Sequence, residues 1–284
     1  MRKYIALLAG LMLSAFAEAK VLVVSDIDDT LKVSHVLSKK GAATSFADDD
    51  SRFVGMSEIF QMLNLQHEDI EFHYVSLAPK LLMNEQHTDF LEENGFPITK
   101  LHMNSGIKQD PELKQKVIRK VLAETNPEVV IYFGDNGQFD AVVYDQMVKE
   151  FPHIPAVSYI REAYSRLDRS KFPTMEGQIG FVTSVEVAID LISKGLLMKK
   201  AYGPIEQIVY KRMKKDDKDE KFGPMVFPWW QDCRDFKWQW DVMNPSVKLQ
   251  KIQSVIAERC VICFRCRIWM ALAEVEESVC SRHR

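Results

Sequence analysis

The chain has 284 residues, 46% hydrophobic and 27% charged, an ordinary globular composition with enough length for a sizeable core. Its formal charge of -3 excludes a basic field for nucleic acid and a polyanionic tail at the level of the whole chain. The five cysteines all lie from Cys233 onward and are odd in number, which is not the evenly spread framework of a small disulfide-stapled domain.

Met1, Arg2 and Lys3 precede an apolar run from Tyr4 to Phe16, and Ala17, Glu18 and Ala19 form an Ala-x-Ala site before Lys20. That order is expected of a secretory signal over residues 1–19, with export to a periplasm or the exterior. A bilayer span needs about 20 apolar residues, so the run is too short for a permanent anchor.

Val21 to Val24 reads as a buried strand that ends in an acidic cluster. The stretch from Leu31 to Asn64 interrupts the rhythm, with Lys39, Lys40, Gly41 and Asp48 to Asp50 as loop and a short amphipathic helix from about Ser57 to Leu65. Phe72 to Ser76 is a second strand, and a helix from about Lys80 to Asn94 stops at Gly95. Ile98 to Met103 is a third strand, and Asp110, Pro111 and Glu112 start a helix that runs to about Glu124. Glu128 to Phe133 is a fourth strand closing on Gly134 and Asp135, followed by a helix from about Phe139 to Glu150 and a fifth strand from Ile154 to Ile160. Strands alternating with helices predict an α/β fold, a doubly wound parallel sheet over residues 20–175.

Residues 176–284 read as an α-rich C-terminal extension without an assigned role, beginning with a helix from Phe181 to Leu197. Lys211 to Lys221 reads as a solvated loop of mixed charge. Phe227 to Trp240 carries four of the five tryptophans and reads as a satellite core, with contact to a bilayer interface as the alternative. Cys260, Cys263 and Cys266 lack a fourth ligand at finger-like spacing, so a structural role is favoured over a metal site.

In doubly wound sheets, ligands bind outside the carboxyl ends of the strands near the point where strand order reverses. Asp26, Asp28 and Asp29 crowd three carboxylates at such an end, which costs repulsion unless a cation or proton compensates it. Magnesium takes one or two protein carboxylates together with substrate oxygens, so Asp135 after the fourth strand, supported by Asp140, completes a candidate metal set of Asp26, Asp28, Asp135 and Asp140. His35, His73 and His102 have neither zinc-pair nor triad spacing and read as structural.

The Asp-x-Asp-x-Thr of Asp26, Asp28 and Thr30 resembles the first motif of the haloacid-dehalogenase-like phosphatases. Ser76, Lys114, and Gly134-Asp135 with Asp140 resemble the second, third and fourth. Lys108 and Lys116 are competing candidates for the third, but Lys114 followed by Ile118, Val121 and Leu122 matches the family's spacing, with Leu113, Val117 and Val121 expected to mark the buried face beside it. Within the superfamily, the wording from Asp26 to Ser34, with Phe53 to Met56, Phe72 to Pro79, Gly134 to Asp140 and Tyr159 to Arg161, is similar to the actin-patch phosphatidate phosphatases, relatives of the lipins. Asn136 stands where a serine is commoner.

The resemblance implies a haloacid-dehalogenase-like Rossmannoid fold with little or no cap. It implies a magnesium-dependent phosphomonoester hydrolase acting on phosphatidate or lysophosphatidate, with Asp26 as the nucleophile that forms an aspartyl-phosphate. Asp28 would serve as general acid and base, while Lys114, Ser76 and Thr30 hold or orient the phosphoryl group. Arg161 reads as a surface ion pair, with contact to a phosphate or headgroup as its alternative. Peripheral membrane contact would suit a lipid substrate. Two other readings remain open: a noncatalytic phosphatidate-binding domain, whose members lack one of the two motif aspartates present here, and a phosphatase for soluble sugar or nucleotide phosphates.

Overall fold

A computed structural model of the chain describes residues 19–38, 50–106, 110–166, 172–214 and 222–260. The stretch expected as a signal, up to residue 18, and Lys39 to Asp49, Lys108, residues 215–221, Cys263, Cys266 and Cys280 lie outside the described residues.

Six strands of the described residues form one sheet: β1 (Val21–Ser25), β2 (Ile70–Pro79), β3 (Lys100–Asn104), β4 (Val129–Asp135), β5 (Ala156–Arg161) and β6 (Ile179–Phe181). Their order is β3-β2-β1-β4-β5-β6, and every pair is parallel. Among the described residues seven α-helices accompany them: α1 (Met56–Gln66), α2 (Lys80–Glu93), α3 (Leu113–Thr125), α4 (Asp140–Glu150), α5 (Ser184–Ser193), α6 (Tyr202–Met213) and α7 (Val247–Cys260). This is the α/β doubly wound sheet expected, with an α-rich C-terminal part.

Alternate residues of the strands feed two apolar layers, as the two-residue period of a strand requires. Val21 and Val23 of β1, Phe72 and Tyr74 of β2, and Ile131 and Phe133 of β4 join one cluster with Ile59 and Phe60 of α1, Phe90 of α2, Leu191 of α5, Val209 of α6 and Ile252 of α7. Leu22, Val24, Val75, Val130 and Tyr132 join a second cluster with Ile118 and Val121 of α3 and Val143 and Met147 of α4. α1 and α2 therefore cover one face of the sheet, α3 and α4 the other, and α5 to α7 return to the first. β1 and β4 are neighbours at the reversal, and their carboxyl ends frame the crevice where this topology binds ligands.

The sixth strand is absent from the sequence reading because three residues centred on Gly180 carry no period. The helix expected from Phe181 starts three residues later, at Ser184, where Thr183 and Glu186 form a capping box. α6 runs through Lys211 to Met213, so the charged stretch expected as loop begins inside a helix. β6 pairs with β5, and α5, α6 and α7 pack in the same apolar cluster as β1, so the segment after residue 175 shares the core of the sheet. Trp230, Phe236 and Trp238 pack against that cluster, whereas Trp229 is 60% exposed. Between β1 and α1 the described residues form only the isolated bridges Asp28 to Lys32, Lys32 to Arg52 and Phe53 to Met225, with no cap domain among them.

Cys233 and Cys260 form a disulfide, which removes Cys260 from any metal site and ties the aromatic segment to the end of α7. Both sulfurs sit in the large apolar cluster. Closing a loop of this length restrains the unfolded chain, so Cys233→Ser with Cys260→Ser is expected to lower the unfolding free energy by about 3 kcal/mol. Urea unfolding of both proteins checks this, and an unchanged midpoint contradicts it.

Candidate active site

Asp26 follows β1, and its backbone N–H donates to the Phe133 carbonyl at 2.9 Å, which fixes it beside the end of β4. Asp135 closes β4, and Asp140 opens α4, where the helix dipole favours an acid. A Cβ added to Gly134 would lie 2.5 Å from Asp140 Cβ, so only glycine lets the end of β4 pass this close to α4. One carboxylate oxygen from each of Asp26, Asp135 and Asp140 lies within 4.8 Å of the others, and all three residues are buried.

Lys114 reaches this trio from the first turn of α3. Its Nζ donates to Asp26 Oδ1 at 2.7 Å and also to Asp140 Oδ1. A cation at a helix N-terminus opposes the macrodipole, so the ion pairs, and not the helix, place it there. Lys114, Ile118, Val121 and Leu122 form the buried stripe of α3, and the helix turns Leu113 and Val117, expected on the buried face, to half-buried flanks. Lys116, by contrast, is exposed and pairs with Asp110 at 3.2 Å and Glu112 at 3.0 Å.

Burial pulls the Lys114 ammonium down, but the charges and hydrogen bonds of Asp140 and Asp26 reverse this and hold it above the usual lysine range. Burial pushes Asp26 well above the usual carboxylate range against the opposing pull of Lys114, with the Asp140 and Asp28 charges adding to the rise. Asp135 rises for the same first reason, then through Asp140, Asp26 and Asp29. With all groups ionised, three carboxylates and one ammonium leave two negative charges, which one divalent cation balances. Asp26 uses Oδ1 for Lys114 and Asp135 uses Oδ1 for the Gly137 N–H at 2.6 Å, which leaves Oδ2 of each for a further electrophile.

The other expected residues stand apart from this trio. Asp28 accepts from Ser34 Oγ at 2.6 Å and from His87 Nε2 at 3.1 Å, and its side chain is 19% exposed. Asp28, expected in the metal set, is not among the three residues whose carboxylate oxygens converge, and its own oxygens accept from Ser34 and His87. Asp29 is compensated chiefly by hydrogen bonds. It accepts from the N–H groups of Ser34, His35 and Val36 at 2.6 to 2.9 Å and from Tyr164 Oη at 2.5 Å, with its own backbone at φ 57. Burial still raises its carboxyl to about 6 against those hydrogen bonds. Ser76 sits at the irregularity in the β2–β3 register, two residues past the partner of Ser25, and its Oγ accepts from the Ala78 N–H at 3.1 Å. Thr30 is fully buried, and its hydroxyl has no hydrogen-bond partner among the described residues.

Arg161 is not a surface residue. It is 1% exposed, lies 3.7 Å from the Phe53 ring centre, and donates to the Thr30 carbonyl at 3.0 Å and the Val182 carbonyl at 2.9 Å. Burial lowers it to about 9. It is a tie between β5, β6 and the loop of the first acidic cluster, so the exposed ion pair expected from sequence is corrected.

Asn136 explains its own departure from serine. It donates to Glu162 Oε2 at 2.8 Å and the Tyr164 carbonyl at 2.6 Å, and accepts from the N–H groups of Ala163 and Tyr164 at 3.0 and 2.9 Å. Serine has too few groups for that clamp. His73 bridges Glu71 and His102 at 3.0 Å each, and His35 stacks on Trp230 at 4.5 Å, both structural arrangements. His87 escaped the sequence reading: it lies between Met83 and Phe90 on the buried stripe of α2, and no local spacing ties it to Asp28.

Residues 21–162, half of the chain, match the family described as phosphatidate phosphatase APP1, catalytic domain, which makes the protein a phosphatase. The chain belongs to that family. No curated protein matches the chain. Among solved structures, the class C acid phosphatase from Bacillus anthracis is similar at 16% identity with tungstate bound and 17% in a second structure. These likenesses cover 74% and 72% of this chain and 86% and 84% of theirs, with TM-scores of 0.35 and 0.34. A structure of the Pnkp1/Rnl/Hen1 RNA repair complex is similar at 16% identity over 50% of this chain, with a TM-score of 0.35, and the chain spans only 43% of that relative's length. Likenesses this remote carry no inference about chemistry.

Without added metal, Lys114→Met is expected to lower the unfolding free energy by about 3–5 kcal/mol, since it leaves buried carboxylates without their cation. The loss should shrink on acidification. Asp26 and Asp135 titrate higher in the folded state than the unfolded one, so folding takes up protons and stability rises as pH falls through that window. Urea unfolding of parent and variant at about pH 8 and about pH 5.5 checks both signs. A variant as stable as the parent at the higher pH contradicts the assignment.

Proposed function

We propose that the protein hydrolyses a phosphomonoester of the phosphatidate class, with magnesium held by Asp26, Asp135 and Asp140. The observation that supports this most is the buried acidic trio bridged by Lys114 at the sheet's reversal point, in a chain of the phosphatidate phosphatase family. The donor set is all oxygen and carries the charge of a divalent site, which suits magnesium. When bound, the ion offsets the negative charge of the trio and of the phosphoryl oxygens.

Asp26 attacks phosphorus through a carboxylate oxygen, forming an aspartyl-phosphate as the bond to the leaving oxygen breaks. Asp28 gives its proton to that leaving oxygen, then takes one from the water that attacks phosphorus and frees phosphate and Asp26. Lys114 fixes the Asp26 rotamer and contributes positive charge beside the phosphoryl oxygens. The unpartnered Thr30 hydroxyl and the strand-end Ser76 hydroxyl are the neutral donors assigned to the phosphoryl group.

Exposed apolar side chains support a lipid substrate and peripheral membrane contact. Leu81 and Leu82 are 83% and 59% exposed at the start of α2, just past Ser76, and Trp229 stands beside His35 of the Asp29 loop. Among the described residues no helix is long and apolar enough to cross a membrane. The pattern of residues 1–19 and a disulfide, which persists in oxidising compartments, support export. Protein recovered from its native host should begin at Lys20, and an intact Met1 contradicts export.

One assay separates the parts of this reading. With magnesium the parent should turn over nitrophenyl phosphate and phosphatidate in mixed micelles, and chelation should stop both. Asp26→Asn and Asp28→Asn should each lose at least about a hundredfold in kcat. Leu81→Ser with Leu82→Ser should reduce micellar turnover alone. Activity surviving Asp26→Asn contradicts the mechanism, and preference for a soluble sugar phosphate contradicts the substrate.

A further inference from the structure

α2 buries Met83, His87, Phe90 and Leu91 on one stripe, so a histidine occupies a position where its neighbours are apolar. His87 is fully buried, and an imidazole at such a place must find a hydrogen-bond partner. A second buried histidine shows the ordinary solution: His67 Nε2 lies 3.0 Å from the Leu196 carbonyl, a contact that only joins α1 to the chain after α5. His87 instead lies 3.1 Å from Asp28 Oδ2, the one carboxylate of the cluster that stays partly open to solvent. When Asp28 is ionised its oxygen only accepts, so in that state Nε2 carries the proton of this bond.

Ser34 holds the other oxygen. Its Oγ donates to Asp28 Oδ1 at 2.6 Å, while its backbone N–H donates to Asp29 Oδ1 at 2.9 Å. The two oxygens of Asp28 are therefore gripped from opposite sides, one by a helix of the core and one by a loop that Asp29 itself orders.

We propose that His87, with Ser34, is a positioning residue that fixes the Asp28 carboxyl for proton delivery to the leaving oxygen. This rests on the phosphatase reading above, with Asp28 as proton donor. In the step it serves, the Asp26 oxygen to phosphorus bond forms, the phosphorus to leaving-oxygen bond breaks, and the Asp28 proton passes to the leaving oxygen. Asp28 is left as a carboxylate that His87 and Ser34 already hold. The role predicts a dependence on the leaving group, because an alkoxide needs that proton and a nitrophenolate hardly does.

The test is steady-state kinetics of the full chain with magnesium on an alkyl phosphate, glycerol phosphate, and on nitrophenyl phosphate. Because Asp28 also serves the hydrolysis step common to both esters, the readout is kcat/KM, which reports transfer from the ester: His87→Ala is expected to lower it about tenfold or more on the alkyl ester and about twofold on the aryl ester. His87→Gln, which keeps an N–H and most of the volume, should recover most of the loss. Ser34→Ala, which leaves α2 and the core untouched, should show the same selectivity even if His87→Ala does not fold. Equal losses on both esters, or none, with an active parent overturn the positioning role alone. A parent that turns over neither ester overturns the phosphatase reading and this one with it.

Discussion

A buried lysine among three buried acids is the constraint around which the carboxyl edge of this sheet is built. Neither element tolerates its position alone: an unpaired ammonium or carboxylate in the interior costs several kcal/mol, and removing one partner strands the others. Lys114 therefore needs α3 to begin where it does, Asp140 needs α4 to begin at the end of β4, and both need Asp26 beside Phe133. The narrow passage at Gly134 is the steric side of the same requirement. The pairs still leave the trio short of positive charge, and that deficit makes the cluster a candidate site rather than a structural ion pair.

Around this centre runs a second network built on hydrogen bonds. Asn136 clamps residues 162 to 164, Tyr164 then donates to Asp29, Asp29 orders the N–H groups of residues 34 to 36, and Ser34 in turn holds Asp28. Arg161 adds a tie from β5 to the Thr30 carbonyl. The result is that the loop after β1 is positioned by the end of β4 and by β5, so Asp26 and Asp28 share one rigid frame although they serve different steps in the proposed mechanism. The Trp230 ring, stacked on His35 and Tyr164, extends that frame into the C-terminal segment.

Much of this was legible in the sequence, for identifiable reasons. Buried parallel strands read as continuous apolar runs, so β1, β2, β4 and β5 stood out, and acids placed at their carboxyl ends pointed to the crevice. Lys114 was found through its place in the resemblance and the spacing to Ile118, Val121 and Leu122. Three things escaped. β6 is too short to carry a period, and the Thr183 to Glu186 capping box beside it was legible but overlooked. Asp29 looked like a third charge needing a cation, because backbone amides that curl around a side chain leave no trace in residue types. His87 and Arg161 are defined by partners 59 and 131 positions away, and only the folded chain brings those together.

The central claim is that Asp26 is the nucleophile, and the most direct measurement is acid quenching during turnover of nitrophenyl phosphate, followed by mass spectrometry of the peptide that contains Asp26. The account predicts one phosphoryl group on Asp26, present during turnover and absent once substrate is exhausted. An unmodified Asp26 under conditions where phosphate is released, or a phosphoryl group on a different residue, would contradict it.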